Sequence, residues 1–262
     1  MRRIELDELK KIQIEILDEV VNFCERRNLR YFLAYGTLIG AIRHKGYIPW
    51  DDDIDIAMPR PDYEMLLSCF NNESKKHKVV SYRTDKSYGM AFAKVHNPLT
   101  IVDEHKYKKE PFGVYIDIFP LDAVVSDSQI FFCWLLRKVL NCKKALLGVR
   151  RSIFKDFYIL VGKILLKPFS VYRIVKKMDD IGRKGNFEEA VFIESFYSST
   201  VKKEKMLKAV FDGFEYAEFE GKKYKIPKGY DQYLKQQYGD YMNLPPEDKR
   251  VSHHDSEAYW KE

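Results

Sequence analysis

Residues 36–56 read GTLIGAIRHKGYIPWDDDIDI and carry the strongest signal in the chain. Four of the five residues 51–55 are aspartates, which repel one another unless a cation lies among them. Apolar residues alternate with the last two acids, and this alternation predicts a strand with one buried face. Residues two apart in a strand point to the same side, so Asp53 and Asp55 can bind one divalent ion.

A third carboxylate comes from a second short run, residues 115–120, which reads YIDIFP. Asp117 is flanked there by apolar residues, the pattern of one polar side chain facing a site from a buried strand. Carboxylate oxygens favour magnesium, or manganese, over zinc. We therefore predict a Mg²⁺ site, with Mn²⁺ as the alternative ion, held by Asp53, Asp55 and Asp117, which suits metal-assisted phosphoryl transfer. A solvated acidic turn is the competing interpretation.

The surrounding pattern predicts an α+β fold with a mixed sheet. An amphipathic pattern predicts a helix over residues 6–28, and a Pro-at-N1 pattern predicts another over 61–70. A turn or short helix is expected at 36–44. Strands are expected at residues 31–35, 54–58, 79–82, 90–95 and 114–119. We expect residues 1–128 to form a catalytic core.

The composition changes after this core. Between residues 129 and 178 there are twelve basic residues and one acid, a local balance of +11 in a chain whose net charge is +6. The remainder of the chain is therefore net acidic. We expect a basic amphipathic helical insertion at 129–210. A C-terminal segment at 211–262, made of turns with a helix at 230–238, is expected to complete the active site.

The basic segment has two interpretations. In the first, its apolar face packs on the core and its cations are solvated. In the second, it docks on the anionic inner face of the plasma membrane. The second interpretation would bring the protein to a lipid-linked acceptor as a peripheral membrane protein.

Several classes of protein are disfavoured. No apolar run approaches the roughly 18 residues of a membrane span, and the N-terminus lacks a secretory pattern, so we expect a cytoplasmic protein. The four cysteines have no CxxC spacing. No nucleic-acid-binding signature appears, and acids stand where a nucleic-acid groove would need cations, so no nucleic-acid partner is expected.

Three ordered motifs resemble the LicD family of phosphotransferases, which is distantly related to fukutin and fukutin-related protein. They are GTLIGAIRHKGYIPWDDDIDIAMPRPDYE at 36–64, YIDIFPLD at 115–122 and YGDYMNLPPEDKR at 238–250. The resemblance implies a nucleotidyltransferase-type fold. It also implies transfer of a phospho-alcohol, most often phosphocholine from CDP-choline, to a cell-surface glycan such as teichoic acid or lipopolysaccharide. Fukutin relatives instead use CDP-ribitol.

The resemblance also assigns residues. Asp53 and Asp55 match the family's metal-binding pair, Asp117 its second-strand carboxylate, and Asp51 a further acid, so these four are the catalytic candidates. Glu257 departs from the family, since some members carry His there. The resemblance also supplies substrate-binding candidates. Gly36 and Thr37 match the family's Gly-Ser turn, here called the glycine turn, and Arg43, His44 and Lys45 match its basic turn. Arg250 and His254 match the basic residues that follow its Pro-Pro turn, which is Pro245-Pro246 in this chain.

We expect a glycan hydroxyl to attack the phosphorus that carries the alcohol, with CMP leaving. Asp51 and Asp117 are both candidates for the general base, and the sequence does not separate them. A choline donor would favour an aromatic cage, for which the sequence offers Tyr35, Tyr47, Trp50, Tyr115 and Phe119. Core packing is the better explanation for each of these residues, so the sequence leaves the donor open. The alternative function is that of a DxD glycosyltransferase, which would use a sugar nucleotide and release UDP or GDP.

Overall fold

The computed structural model describes residues 1–104, 112–145, 153–197, 204–250 and 256–261. In chain order its helices are α1 (Leu6–Arg26), α2 (Tyr35–Ile39), α3 (Arg60–Glu73), α4 (Asp127–Lys144), α5 (Ile153–Leu165), α6 (Val171–Gly182) and α7 (Tyr230–Tyr238). Its strands are β1 (Arg3–Ile4), β2 (Phe32–Leu33), β3 (Asp55–Pro59), β4 (Lys78–Val80), β5 (Ala93–His96), β6 (Thr100–Glu104), β7 (Tyr115–Ala123), β8 (Phe192–Glu194), β9 (Met206–Leu207), β10 (Phe214–Phe219), β11 (Lys222–Pro227) and β12 (Ser256–Trp260).

A mixed sheet forms the centre of the fold and confirms the predicted α+β class. Its strand order is β2-β3-β7-β5-β4, and β8 and β9 continue it beside the end of β7. Strands β3 and β7 run parallel, whereas β2, β5 and β8 pair with their neighbours antiparallel. The buried residues of β3 and β7 lie in the main hydrophobic core, so the sheet holds the two predicted aspartate strands side by side.

Helix α1 covers this sheet and also holds the acidic segment in place. Its buried face includes Ile16, Leu17 and Phe23, as the amphipathic pattern predicts. Gln13 is buried in the same face, and its side-chain amide donates to the carbonyl of Asp52 at 2.9 Å and to that of Tyr115 at 3.2 Å. A buried amide bonded to two separate segments fixes their spacing, because breaking either bond leaves a buried group unpaired.

The region around the predicted turn at residues 36–44 differs slightly from the prediction of a strand at 31–35. Tyr35 does not end the strand but begins α2, with φ at +46°, and the helix continues as a π-helical turn over Gly40–His44. A side chain at Gly40 would place its Cβ 2.4 Å from the Gly46 carbonyl oxygen. The close approach of these two backbones explains why a glycine is needed at position 40.

The C-terminal segment contains a hairpin that the glycine and proline pattern did not predict. Strands β10 and β11 pair between those turn residues, and α7 follows at its predicted place. At the hairpin tip, the Glu220 amide donates to the Lys45 carbonyl at 2.9 Å and the Glu220 carboxylate accepts from the Tyr47 amide at 3.0 Å. The tip therefore braces the loop that leads into the aspartates.

Within the described residues the basic segment forms helices α4, α5 and α6. The predicted insertion at 129–210 is not helical throughout, because Phe192–Glu194 and Met206–Leu207 form β8 and β9, which extend from β7. Helices α4 and α6 share a second hydrophobic core that includes Cys133, Leu140 and Val175. Strand β8 then returns to the central sheet, where Glu194 lies opposite Asp122 of β7. None of the helices in the described part of the chain is both long and apolar enough to cross a membrane.

A group of buried charges joins the helical segment to the core. Arg60, at the start of α3, donates to both carboxylate oxygens of Asp122 at 2.5 and 2.7 Å and to Asp179 of α6 at 2.9 Å. Arg83 also donates to Asp179, at 2.6 Å. We call these four residues the Arg60 cluster; each carboxylate in it is bonded to a guanidinium.

Candidate active site

Three charged side chains form a row across adjacent strands of the central sheet. Asp55 of β3 lies opposite Asp117 of β7, and Asp117 lies opposite Lys94 of β5. Residues directly opposite in neighbouring strands project from the same face of a sheet. The sheet thus brings together two of the predicted metal ligands, which are far apart in sequence, and adds a cation beside them.

Asp51 and Asp53 complete what we call the aspartate site, with Asp55 and Asp117. Gly36 lies against Asp51, since a Cβ at position 36 would be 2.6 Å from a carboxylate oxygen of Asp51. Substitution of Gly36 would therefore displace this carboxylate, which gives the predicted glycine a physical role. The neighbouring carboxylates of Asp53, Asp117 and Asp51 all act electrostatically on Asp55.

Thr37 acts on the protein backbone in this structure. Its hydroxyl oxygen is buried and accepts a hydrogen bond from the Asp55 amide at 2.8 Å. The predicted role of Thr37, donation of a hydroxyl to a phosphate, involves the hydroxyl hydrogen and is compatible with this contact. The observed bond ties the glycine turn directly to the start of β3.

The aspartate site has an excess of negative charge. Burial raises the pKa of Asp55 well above its ordinary value, and the charges of Asp53, Asp117 and Asp51 raise it further. Lys94 acts in the opposite direction but does not compensate. Carboxylates that disfavour one another's ionisation in this way are stabilised by a bound cation.

Lys94 is a site residue that the sequence reasoning missed. It is buried, its ammonium donates to Asp117 at 2.5 Å, and it lies 3.3 Å from the ring centroid of Tyr115. A single lysine in the otherwise apolar run at residues 90–95 was the available signal. A buried lysine needs a charge partner, so such a run would have suggested an adjacent carboxylate.

The residues present fit a hard divalent cation in chemical type, since Asp53, Asp55 and Asp117 offer oxygen donors at a place of excess negative charge. The side chains do not converge in this arrangement. Over the described residues, no three Asp, Glu, His or Cys side chains are gathered so as to hold an ion. Asp117 is instead paired with Lys94.

The predicted basic turn lies between the aspartate site and the C-terminal segment. The Arg43 guanidinium donates to the carbonyls of Tyr241 at 2.5 Å and Asn243 at 3.2 Å, and its Nε donates to His44 Nε2 at 2.9 Å. Burial and the Arg43 charge both lower the pKa of His44. Lys45 is exposed. Arg43 therefore holds the segment that leads into Pro245-Pro246, here called the Pro-Pro segment, and also contributes positive charge.

Arg250 lies close to this turn. Its Nε donates to the Pro245 carbonyl at 2.8 Å, and its guanidinium is 5.8 Å from the ring centroid of Trp50, immediately before the aspartates. The third motif thus contacts the first. His254, the other basic candidate, lies outside the described residues.

The five aromatic candidates do not form one cage. Tyr47 packs on Phe219, and Tyr115 lies beneath the Lys94 ammonium. Tyr35 and Phe119 do meet, with ring centroids 5.1 Å apart. Phe119 is buried and also packs on Phe92, and Trp50 contacts His44 and Arg250, so the five rings serve mainly in packing.

Two further residues near the site were not among the site residues predicted from the sequence. Buried Glu204 accepts a hydrogen bond from the Tyr35 hydroxyl at 3.2 Å. Burial raises the pKa of Tyr238 in α7, and the charges of Asp55 and Glu204 raise it further. No local pattern marks either residue, because only the fold brings them to the aspartates.

Comparison with known proteins agrees with this geometry. Residues 28–138 match the family model described as "LicD/FKTN/FKRP, nucleotidyltransferase domain". This range contains the aspartate site, the glycine turn and the basic turn, but not the Pro-Pro segment.

A lipopolysaccharide cholinephosphotransferase LicD of Haemophilus influenzae is 33% identical over 275 residues, 99% of both chains. That match continues through the basic segment, which the motif resemblance alone left out. An uncharacterized protein of Rickettsia typhi is 28% identical over 128 residues, covering 47% of this chain and 38% of its own. An uncharacterized protein of Rickettsia prowazekii is 38% identical over 68 residues, 26% of each chain. With its three motifs, matching family model and full-length relative, this chain belongs to the LicD family of phosphotransferases.

Proposed function

We propose that this enzyme transfers phosphocholine from CDP-choline to a hydroxyl of lipopolysaccharide or a related cell-surface glycan, with release of CMP. The observation that carries the proposal is the pairing of Asp55 with Asp117 across β3 and β7, beside two further aspartates. The name of the full-length relative, a lipopolysaccharide cholinephosphotransferase, supports the choice of transferred group and acceptor.

In this proposal Asp53, Asp55 and Asp117 hold Mg²⁺, or Mn²⁺ in its place. A metal ion bound there would neutralise the donor diphosphate and stabilise the charge that develops on its oxygens. Thr37 supports this arrangement because its bond to the Asp55 amide holds the start of β3. Gln13 does the same from α1 through the carbonyl of Asp52.

Cationic side chains contribute the rest of the phosphate environment. Arg43 and Arg250 lie on the side of the aspartates that the C-terminal segment covers, where they are held by backbone carbonyls. Lys45 adds an exposed charge on the same turn. We infer that these three cations orient the diphosphate. Positioning and charge neutralisation supply most of the catalysis in phosphoryl transfer.

Asp51 is the better candidate for the general base. Lys94 donates to Asp117 at 2.5 Å, and an adjacent ammonium opposes protonation of a carboxylate. Asp51 instead lies against the Gly36 backbone, at the edge of the site. A carboxylate there can accept the proton of the attacking hydroxyl while Asp117 stays ionised.

A choline headgroup would find aromatic contact at the half-buried Tyr35, whereas Phe119 is buried behind it. Quaternary ammonium groups bind over aromatic faces, and a carboxylate nearby strengthens the binding. Glu204, bonded to the Tyr35 hydroxyl, places such a carboxylate behind the ring pair. The name of the full-length relative is what supports choline over ribitol as the donor alcohol.

Identification of the released nucleotide tests the proposal. The purified chain is incubated with Mg²⁺, lipopolysaccharide and, in separate reactions, CDP-choline, CDP-ribitol or a panel of UDP- and GDP-sugars. We expect CMP from CDP-choline, dependent on acceptor and abolished by a chelator. Release of UDP or GDP from a sugar nucleotide, with no CMP, would instead establish the glycosyltransferase alternative. CMP from CDP-ribitol alone would refute the choline assignment.

A further inference from the structure

Helix α5 has an unusually apolar exposed surface. Phe154, Tyr158 and Leu165 are 79%, 74% and 71% exposed. The other large apolar residues exposed on this helix are Phe157, Leu160, Val161 and Ile164. We call this set the α5 face. Scattered apolar residues are normal on protein surfaces, but so many on a helix of 13 residues indicate a surface that something covers.

A cationic cavity lies next to the α5 face. Its volume is about 590 Å³, and it is bounded by the loop at residues 86–89 and the ends of α4, α5 and α6. The five lysines that line it, which define the lysine pocket, are Lys86, Lys143, Lys144, Lys163 and Lys167. Lys143 and Lys144 are oriented by bonds to the carbonyls of Leu166 and Gly89. Lys163 belongs to α5 itself, so one helix carries both apolar and cationic groups.

The charges around the α5 face decide between possible occupants. Residues 129–178 contain twelve basic residues and a single acid, Asp156. A second copy of this chain would bring like charges together across the apolar contact, which opposes association. An anionic bilayer offers both an apolar layer and phosphate groups, and a protein partner would have to reproduce the two side by side.

We propose that the α5 face inserts into the interfacial layer of an anionic membrane, and that the lysine pocket binds the phosphate of an anionic lipid headgroup. Amphipathic helices of this kind bind membranes through buried apolar area together with attraction between lysines and anionic lipids. The protein would then be held peripherally, with α5 in the plane of the membrane. This docking does not depend on which donor or acceptor the enzyme uses.

A second cavity lies between the lysine pocket and the aromatic residues near the aspartate site. Lys144 and Gly89 line a second, smaller cavity of about 180 Å³ that Phe92 lines as well. The Phe92 ring is 4.4 Å from that of Phe119, which in turn meets Tyr35. Docking through α5 would therefore place the membrane surface beside this second cavity.

Flotation of the full chain with lipid vesicles tests the apolar contact. We expect binding to vesicles of phosphatidylglycerol and phosphatidylcholine, and little binding to phosphatidylcholine alone. The double variant Phe157→Ser/Tyr158→Ser should bind at least about 30-fold more weakly. The matched control Phe214→Ser/Tyr216→Ser removes the same two residue types from the exposed face of β10 and should bind as the wild type does.

A second pair of variants tests the lysine pocket. Lys163→Gln/Lys167→Gln should weaken binding to the anionic vesicles roughly 30-fold, from about 1 kcal/mol per lysine near the surface. The control Lys222→Gln/Lys235→Gln removes the same charge from exposed positions elsewhere and should have a much smaller effect. An equal loss of vesicle binding in both double variants would refute headgroup binding in the lysine pocket, since net charge alone would then explain the binding.

Three results would overturn the docking proposal. One is undiminished vesicle binding by the folded Phe157→Ser/Tyr158→Ser variant. Another is that the wild type forms a dimer and does not bind vesicles, while the double variant is a monomer. A second copy of the chain would then be what covers the α5 face. If that variant fails to fold, an environment-sensitive dye on Tyr158→Cys provides the test. A blue shift with anionic vesicles supports insertion, and no shift refutes it.

Discussion

Strand β7 carries one carboxylate of each of two buried charge clusters, and the two clusters behave in opposite ways. Asp122 belongs to the Arg60 cluster, where the charges of Arg60 and Arg83 lower the pKa of Asp179 although burial opposes them. Asp117 belongs to the aspartate site, where burial and neighbouring carboxylates raise the pKa of Asp55. The two clusters differ mainly in how many cations the protein itself provides.

This difference separates structural from functional charge. Arg60 and Arg83 pair with the carboxylates around them, so the Arg60 cluster is complete and joins α3, β7 and α6. The aspartate site has Lys94 but more carboxylates than one lysine can neutralise. A cluster whose carboxylates are not neutralised by the protein's own cations is the better candidate for a functional site. A bound cation and a phosphate ligand would balance its charge.

The largest effect should follow from Asp55→Asn. We expect CMP release to fall by about a thousandfold or more, equivalent to about 4 kcal/mol of transition-state stabilisation, because an amide cannot replace an anionic ligand. The thermal midpoint should stay equal or rise, since a repelled carboxylate is removed. The control Asp52→Asn removes an acid outside the proposed ligand set. Comparable turnover in Asp55→Asn would show that the metal assignment is wrong.

In the Arg60 cluster the same kind of change should affect stability. We expect Arg60→Met to lower the free energy of unfolding by about 3–5 kcal/mol, because Asp122 and Asp179 would remain buried without their partner. Urea denaturation measures the loss, and Arg60→Lys should recover part of it. A stability change within about 0.5 kcal/mol would mean that the cluster is not structural.

Metal addition should distinguish the clusters directly. At about 100 times its dissociation constant, Mg²⁺ should stabilise the wild type by about 2.7 kcal/mol, because only the folded chain assembles the site. The increase should be absent in Asp55→Asn and in Asp117→Asn but retained in a folded Arg60→Lys protein. Equal stabilisation of Asp55→Asn in thermal scans would place the ion elsewhere.

A smaller, pH-dependent effect is expected at Glu194. Burial and the nearby Glu204 charge raise its pKa from 4.5 to about 8, with Asp122 and Asp127 contributing and Lys205 opposing. The folded chain therefore keeps a proton that the unfolded chain loses above its ordinary pKa. The contribution of this group to the free energy of unfolding falls as pH rises from about 4.5 to 8, by up to about 1.4 kcal/mol per unit, then levels off.

Replacement of Glu194 by Gln isolates this contribution. Both Glu194 carboxylate oxygens lack a hydrogen-bond partner within the described residues, so Gln, which mimics the neutral acid, should be accommodated. The stability advantage of Glu194→Gln over the wild type should grow between pH 5 and 8 in urea titrations. Glu215→Gln, at an exposed position on β10, should show no such trend. A constant difference across this range would contradict the raised pKa.

Residues close together in the chain were the easier part to predict. The alternation of Ile54, Asp55 and Ile56 predicted β3, and the amphipathic pattern predicted α1, because strand and helix periods are local properties. The expectation that Asp53 shares this strand was wrong, since β3 begins at Asp55. The hairpin of β10 and β11 was missed because its turn residues dominated the pattern. Lys94 was missed for a different reason, since its partner Asp117 is 23 residues away along the chain.

The sequence by itself determined the chemistry of this protein: acids in a strand, a glycine turn, a basic turn and a cationic helical segment, all recognisable from residue type and spacing. Only the tertiary structure decided which of these groups meet. Pairing of β3 with β7 places Asp55 opposite Asp117, and pairing of β5 with β7 brings Lys94 to the same row. Folding likewise leaves α5 uncovered beside the lysine pocket. Strand register and helix packing depend on burial summed over the whole chain, which no single stretch of sequence contains.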